Sequence, residues 1–137
     1  MEPRRLAIIA GISYLIIFFA AVFANFLVLE SILDDPLAAI GGNQLLVRFG
    51  IMAFMITVVF DVVVAWALYE LYKENSLTVL STLFRMMHAA IMGVAVFALP
   101  VAMASSTAQE ILKQVEIFNT IWLIGLFFFG IHLFLLG

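Results

Sequence analysis

The sequence contains no cysteine and few charged residues. The lack of cysteine excludes disulfides, iron–sulfur clusters, thiolate zinc sites and a cysteine nucleophile, so any metal would need His, Asp or Glu ligands. Only 11% of the residues are charged, whereas a soluble domain has about 25%. The net charge is −3, and Arg4 and Arg5 form the only basic cluster, so the chain lacks the positive surface that nucleic-acid binding requires. Motifs for phosphate binding or a serine nucleophile are also missing.

Apolar residues make up 66% of the chain, and the mean hydropathy is +1.25. They form four long segments, approximately residues 6–33, 49–72, 77–103 and 111–137. Each segment has at least the ~20 residues that an α-helix needs to cross a bilayer. We therefore expect an all-α integral membrane protein, a four-transmembrane-helix bundle, with residues 1–137 forming a single membrane domain.

The charged residues lie mostly between the apolar segments, where the chain would meet the membrane surfaces. The first connection is rich in turn-forming residues, from Asp34 and Pro36 to Gly42. One membrane surface would carry three basic residues, Arg4, Arg5 and Lys73, and the other would carry two, Arg48 and Lys113. This bias predicts a multi-pass protein of the cell inner (plasma) membrane with a cytoplasmic N-terminus.

Three ionisable residues lie inside the second and third segments, where the short turn near Asn75 makes the two helices antiparallel neighbours. Asp61 and His88 are almost equally far from this turn and should lie at the same depth. Arg85 lies one helical turn closer to the turn, an offset of about 5 Å that an arginine can span. The sequence therefore predicts an Asp61–Arg85 pair in a buried polar cluster with His88.

Polar and small residues form stripes with helical spacing on three of the segments. The third segment has Thr78, Ser81, Thr82, Arg85, His88, Ala89, Met92 and Gly93; the first has Gly11, Tyr14, Phe18, Ala21 and Asn25; the last has Gly125, Phe129 and His132. These stripes should face the bundle interior and allow helices to approach closely. Asn25 and His132 are thus secondary polar positions of the candidate site.

The two histidines raise the question of a bis-histidine haem, which requires both rings to reach one iron. Counted from the membrane surface that bears Lys73, His88 and His132 should differ in depth by roughly 10 Å. No helix carries a metal-binding spacing such as Glu-x-x-His. We therefore predict no haem, no metal and no other cofactor.

The cluster of Asp61, Arg85 and His88 has two interpretations. It could bind an anionic or polar head group or relay protons, or it could be a buried ion pair that fixes helix register. Two charges and one imidazole define no particular reaction, so no catalytic residue is predicted.

Two segments carry a resemblance to a known family. Phe84-Arg85-Met86-Met87-His88-Ala89-Ala90-Ile91-Met92-Gly93 and Ile124-Gly125-Leu126-Phe127-Phe128-Phe129-Gly130-Ile131-His132-Leu133 resemble segments of an uncharacterised bacterial multi-spanning membrane protein family, a domain-of-unknown-function family. The resemblance implies a membrane fold and a bacterial setting but no reaction. It also implies that this chain lacks C-terminal spans that such proteins have.

We therefore expect a membrane protein that is not an enzyme, either an accessory subunit of a membrane complex or a binder of a lipid-like ligand. Its partners would be the lipid bilayer and other membrane subunits or a second copy of itself. The alternative is a membrane-embedded enzyme or proton-coupled transporter that uses Asp61, Arg85 and His88. The sequence leaves open the ligand, the partner proteins, the oligomeric state and whether the chain continues beyond Gly137.

Overall fold

The computed structural model describes all residues, 1–137, and contains helices but no strand. The five helices are α1 (Pro3–Asp34), α2 (Pro36–Gly42), α3 (Gln44–Tyr72), α4 (Thr78–Met103) and α5 (Ala108–Leu136). All except the short α2 are long and apolar enough to cross a membrane. The expected fold class is confirmed: the protein is an all-α integral membrane protein with four spanning helices.

The first connection differs from the sequence-based expectation, because most of it is the helix α2 and not a turn. Pro36 occupies the first turn of this helix, where its missing N–H is no disadvantage. The Asp35 side chain caps the helix by accepting a hydrogen bond from the Ala38 N–H at 3.3 Å. The other connections are brief, and Thr107 caps α5 by accepting from the Glu110 N–H.

The spanning helices pack in chain order, with α1 against α3, α3 against α4, and α4 against α5. Apolar side chains form a continuous core at the end of the bundle near α2, centred on Val28, Phe54 and Phe118. Buried polar side chains lie nearer the middle and the opposite end. Because α1 and α5 do not pack along each other, the bundle is open on one side.

Helix α1 contains a π-helical segment, Phe23–Leu29, within its second half. In this segment the Asn25 side chain donates to the Ala21 carbonyl at 2.9 Å, which satisfies an acceptor of the preceding turn. The segment holds Val28 directly against Gly50 of α3: a Cβ added at Gly50 would lie 2.5 Å from Val28 Cγ1. The close approach of α1 and α3 therefore depends on glycine at position 50.

Helix α4 is interrupted at Phe97, between Thr78–Val96 and Ala98–Met103. Pro100 lies four residues after Val96 and has no N–H to offer the Val96 carbonyl. Just before this point, the Phe97 N–H bonds to the Val94 carbonyl at 3.1 Å, three residues back, which makes a tighter turn than that of an α-helix. The interruption lies on the C-terminal side of the polar residues of this helix, and the helix is regular from Thr78 to Val96.

Substituting Gly50→Ala should destabilise the bundle, because Val28 is buried and branched and cannot move aside easily. Overpacking of this kind costs about 1–3 kcal/mol. The check is the melting temperature of the purified protein in an uncharged detergent, which should fall by several degrees. Gly130→Ala is the matched control, since nothing lies within 4 Å of a Cβ there. Equal melting temperatures for the two variants would contradict this account of the α1–α3 contact.

Candidate functional site

An ion pair joins the middle of α3 to the first third of α4. Arg85 Nη2 donates to Asp61 Oδ1 at 2.7 Å, and the two residues are 1% and 7% exposed. Each charge would be unfavourable alone in an apolar interior, so each requires the other. The structure thus contains the pair that the hairpin spacing predicts.

His88 extends the pair to α5. Its Nε2 lies 3.2 Å from Asp61 Oδ2, and its Nδ1 donates to the Gly125 carbonyl at 2.9 Å. This contact needs α5 to lie close to α4, and the missing side chain of Gly125 permits it: a Cβ there would be 2.9 Å from Met92 Sδ. His88 therefore links α4 to both α3 and α5.

The Arg85 guanidinium also contacts α1 and α5. Its Nη1 donates to the Tyr14 hydroxyl oxygen at 2.7 Å and to His132 Nε2 at 3.2 Å. Its central carbon lies 5.1 Å from the centres of both the Tyr14 and Phe129 rings, close enough for cation–π attraction. Arg85 is consequently in contact with every other spanning helix.

His132 is held in one orientation by Ser81 of α4. Its Nδ1 donates to the Ser81 carbonyl at 3.0 Å and lies 2.9 Å from the Ser81 hydroxyl, which itself donates to the His132 carbonyl. Since Nδ1 carries the proton, Nε2 has a free lone pair and accepts the bond from Arg85. His132 is therefore a neutral acceptor in the cluster.

One nitrogen of the Arg85 guanidinium is unused. Arg85 Nε is the buried side-chain nitrogen that has no hydrogen-bond partner. Buried polar groups are nearly always paired, because an unmade hydrogen bond costs about 1–3 kcal/mol. Arg85 Nε is thus a buried donor of the cluster that lacks an acceptor.

A cleft of about 180 Å³ borders the cluster on the open side of the bundle, between α1 and α5. Its apolar walls are Ile17, Ala21, Met92, Trp122, Leu126 and Phe129, and its polar side chains are Tyr14, Thr57, Asp61, Arg85 and His88. All of them lie at least about seven residues, or two helical turns, from the ends of their helices. The cleft therefore opens sideways at the depth of the hydrocarbon core. The remaining surface depressions lie on the outer faces of single helices.

The structure brings Asp61, Arg85 and His88 together, and it adds His132, which the sequence indicated only as a secondary position. Asn25 lies apart from them and bonds within α1. The expected interior stripe of α1 is wrong in part, because Gly11 and Phe18 are exposed while Ala10 and Ser13 are buried. Two hydrogen-bond partners in the cluster were not predicted: Ser81, which contacts His132, and the Gly125 carbonyl, which accepts from His88.

The absence of a metal and of haem stays a prediction. No group of three or more His, Asp or Glu side chains is arranged to hold a metal ion. The ring nitrogens of both histidines contact protein atoms. On α4, His88 lies seven residues from Ser81, the partner of His132, which is roughly 10 Å of helical rise.

The fold and the cluster define a class: a small helical membrane protein with a charged cluster at the middle of its spans. The chain belongs to the family described as a domain of unknown function, DUF4386, whose family model matches residues 9–137. An uncharacterised protein of the archaeon Archaeoglobus fulgidus is 34% identical over 91 residues, which are 65% of this chain and 48% of the relative. The chain spans about half the length of that relative. No solved structure matches.

These comparisons confirm the resemblance to a family of unknown function, and they supply no activity. The bacterial setting is not shown, because the relative reported above is archaeal. Any role for the cluster must therefore be argued from its own geometry.

Substituting Asp61→Asn should destabilise the protein strongly, because it leaves the Arg85 cation buried without a counter-charge. Breaking a buried pair on one side costs about 3–5 kcal/mol. The double variant Asp61→Asn with Arg85→Met removes both charges and should recover much of that loss. Melting temperatures of the two variants and the parent provide the comparison. A double variant less stable than the single one would show that the two charges are not coupled.

Proposed function

We propose that this protein binds a lipid-like ligand whose polar head contacts Arg85 in the cleft between α1 and α5. The observation that carries the proposal is the sideways opening of this cleft, next to a buried cation with an unused donor. A ligand that enters there comes from the lipid phase. A water-borne transport substrate would need an opening at a membrane surface, so the geometry favours binding over the proton-coupled transporter or membrane-embedded enzyme.

The size and lining of the cleft support an amphipathic ligand. At about 180 Å³ it is smaller than the ~300–1,000 Å³ of most drug-sized pockets, so it can enclose a head group and only the first part of a chain. Its walls beyond the cluster are apolar, and Tyr14 and Leu126 at its edge are exposed. The rest of the ligand's apolar chain would extend out between α1 and α5 and lie among the lipid tails.

The direct test is native mass spectrometry of the protein, gently released from its own membrane. The expected spectrum contains the intact chain together with an adduct that organic extraction identifies as an amphipathic small molecule. A bare chain under conditions that preserve lipid adducts on other membrane proteins would count against the proposal.

Substituting Ala21→Phe should abolish most of the bound ligand, because the new ring would fill the apolar part of the cleft. Position 21 lines the cleft but takes no part in the charged cluster. Ala7→Phe, on an exposed part of the same helix, is the matched control and should keep the adduct. The readout is the adduct fraction in each native spectrum. Equal fractions in both variants would place the ligand elsewhere.

A second candidate function, an accessory subunit, is favoured by the large apolar side chains exposed on α1 and α5, including Phe18, Phe19 and Phe134. These faces could pack against other membrane subunits or a second copy of this chain. The same native spectrum distinguishes the two functions, because a subunit would carry a protein mass and not a small-molecule adduct.

We further propose that the protein lies in the plasma membrane with a cytoplasmic N-terminus. The support is the charge bias: the helix ends that bear Arg4, Arg5 and Lys73 share one surface, and those that bear Arg48 and Lys113 share the other.

The absence of cysteine makes this orientation easy to test, since an introduced cysteine is unique. A membrane-impermeant thiol reagent applied to intact cells should label Ser106→Cys, between α4 and α5, but not Asn75→Cys, between α3 and α4. Permeabilised cells should show both labelled. The reverse pattern would invert the proposed orientation, and protection of both in intact cells would place the protein in another membrane.

A further inference from the structure

We infer that the ligand of this cleft is a single-chain amphiphile whose head group is a carboxylate carrying one negative charge. This inference rests on the proposed function above and adds the chemical class of the ligand. It follows from counting the protons that the hydrogen bonds of the cluster require.

The contacts of His88 require more protons than a neutral imidazole has. A carbonyl oxygen can only accept, so His88 Nδ1 carries a proton toward Gly125. At the other side of the ring, Nε2 faces Asp61 Oδ2 at 3.2 Å. A second proton must lie between these two atoms, because a bare nitrogen lone pair and a carboxylate oxygen repel each other.

The net charge is the same wherever that second proton resides. If it is on His88, the ring is a cation and Asp61 is an anion; if it is on Asp61, both groups are neutral. Either way Asp61 and His88 together contribute no net charge, so the cluster of Asp61, Arg85 and His88 has a net charge of +1. The ion pair of Arg85 and Asp61 therefore does not balance the whole cluster.

The other groups that face the cluster add no charge. His132 on α5 is neutral because its Nε2 accepts from Arg85. Tyr14 on α1 presents a hydroxyl, and no other ionisable side chain lines the cleft. An uncompensated positive charge at the middle of a membrane span costs several kcal/mol, so the cluster is complementary to one anion.

Two donors are available for that anion. Arg85 Nε has no partner. The Tyr14 oxygen already accepts from Arg85, which leaves its own O–H free to donate. Two donors and one excess positive charge match the two oxygens and single charge of a carboxylate. A phosphate monoester carries ~1.5–2 negative charges and would overcompensate them. A phosphodiester is singly charged, but its tetrahedral phosphorus with two ester substituents is bulkier than a carboxylate in a cleft of about 180 Å³.

The test is a competition between palmitic acid and 1-hexadecanol, which share a chain length and differ in the head group. Both are added in equal amounts to the delipidated full chain in an uncharged detergent, and native mass spectrometry gives the ratio of the two adducts. We expect at least about tenfold more acid than alcohol, the effect of one hydrogen bond to a charged group. Ala21→Phe measures the adducts formed outside the cleft.

Each result has a distinct meaning. Equal acid and alcohol adducts, both above the Ala21→Phe background, would overturn the carboxylate inference and leave the proposed function standing. Neither adduct above background would contradict the proposed function itself. A stronger adduct with hexadecyl phosphate than with palmitic acid would also overturn the inference.

A variant tests the proton count directly. In His88→Gln the side chain keeps hydrogen-bonding capacity but cannot hold the second proton, so Asp61 alone neutralises Arg85. The acid-to-alcohol ratio should fall from at least about tenfold to near one. An unchanged ratio in a folded His88→Gln protein would show that the extra proton does not set the selectivity. Should this variant fail to fold, the ratio measured on the parent protein still decides the inference.

Discussion

The contact between Arg85 and Asp61 is the interaction on which the arrangement of this bundle depends. A guanidinium in the middle of a spanning helix has no water to hydrate it, so its donors must find partners in neighbouring helices. Arg85 obtains them from Asp61 on α3, Tyr14 on α1 and His132 on α5. Every spanning helix is thereby fixed at one depth and one rotation relative to α4, a constraint that apolar packing alone does not impose as strictly.

The two ends of the bundle are held together by different means. Near α2 the helices interlock through apolar side chains: Val28 packs against Gly50, and the ring centres of Phe54 and Phe118 are 4.9 Å apart, with the rings tilted by 53°. Nearer the other end, serine and histidine side chains replace this packing, as in the paired hydrogen bonds of Ser81 and His132. The cleft lies at the boundary between the apolar part and the hydrogen-bonded part of the bundle, at the level of Asp61 and Met92.

Hydropathy predicts the four spans because length and apolarity suffice to define a membrane helix. The Asp61–Arg85 pair was also predictable, since a turn of few residues near Asn75 fixes the depth of both chains of a hairpin. The side-chain contacts of α1 and α5 could not be predicted from the sequence. Nothing local determines how these helices rotate about their axes, and the π-helical segment of α1 shifts the residues after Phe23 away from a regular stripe. The role of His132 was missed because His132 lies about two helical turns along α5 from Gly125, the residue that His88 contacts, although its ring reaches the same guanidinium as Asp61.

The structural interpretation of the cluster, an ion pair that only fixes register, explains some of its features and not others. A purely structural pair is best enclosed, with every donor satisfied and the net charge balanced. Here α1 and α5 stay apart beside the pair, one guanidinium nitrogen has no partner, and His88 faces two acceptors at once. Each of these features is unfavourable in an empty bundle. The proposed ligand, a single anion with an apolar chain, would relieve all three: its oxygens would meet the donors, its charge would balance the net positive charge of the cluster, and its chain would fill the gap between the helices.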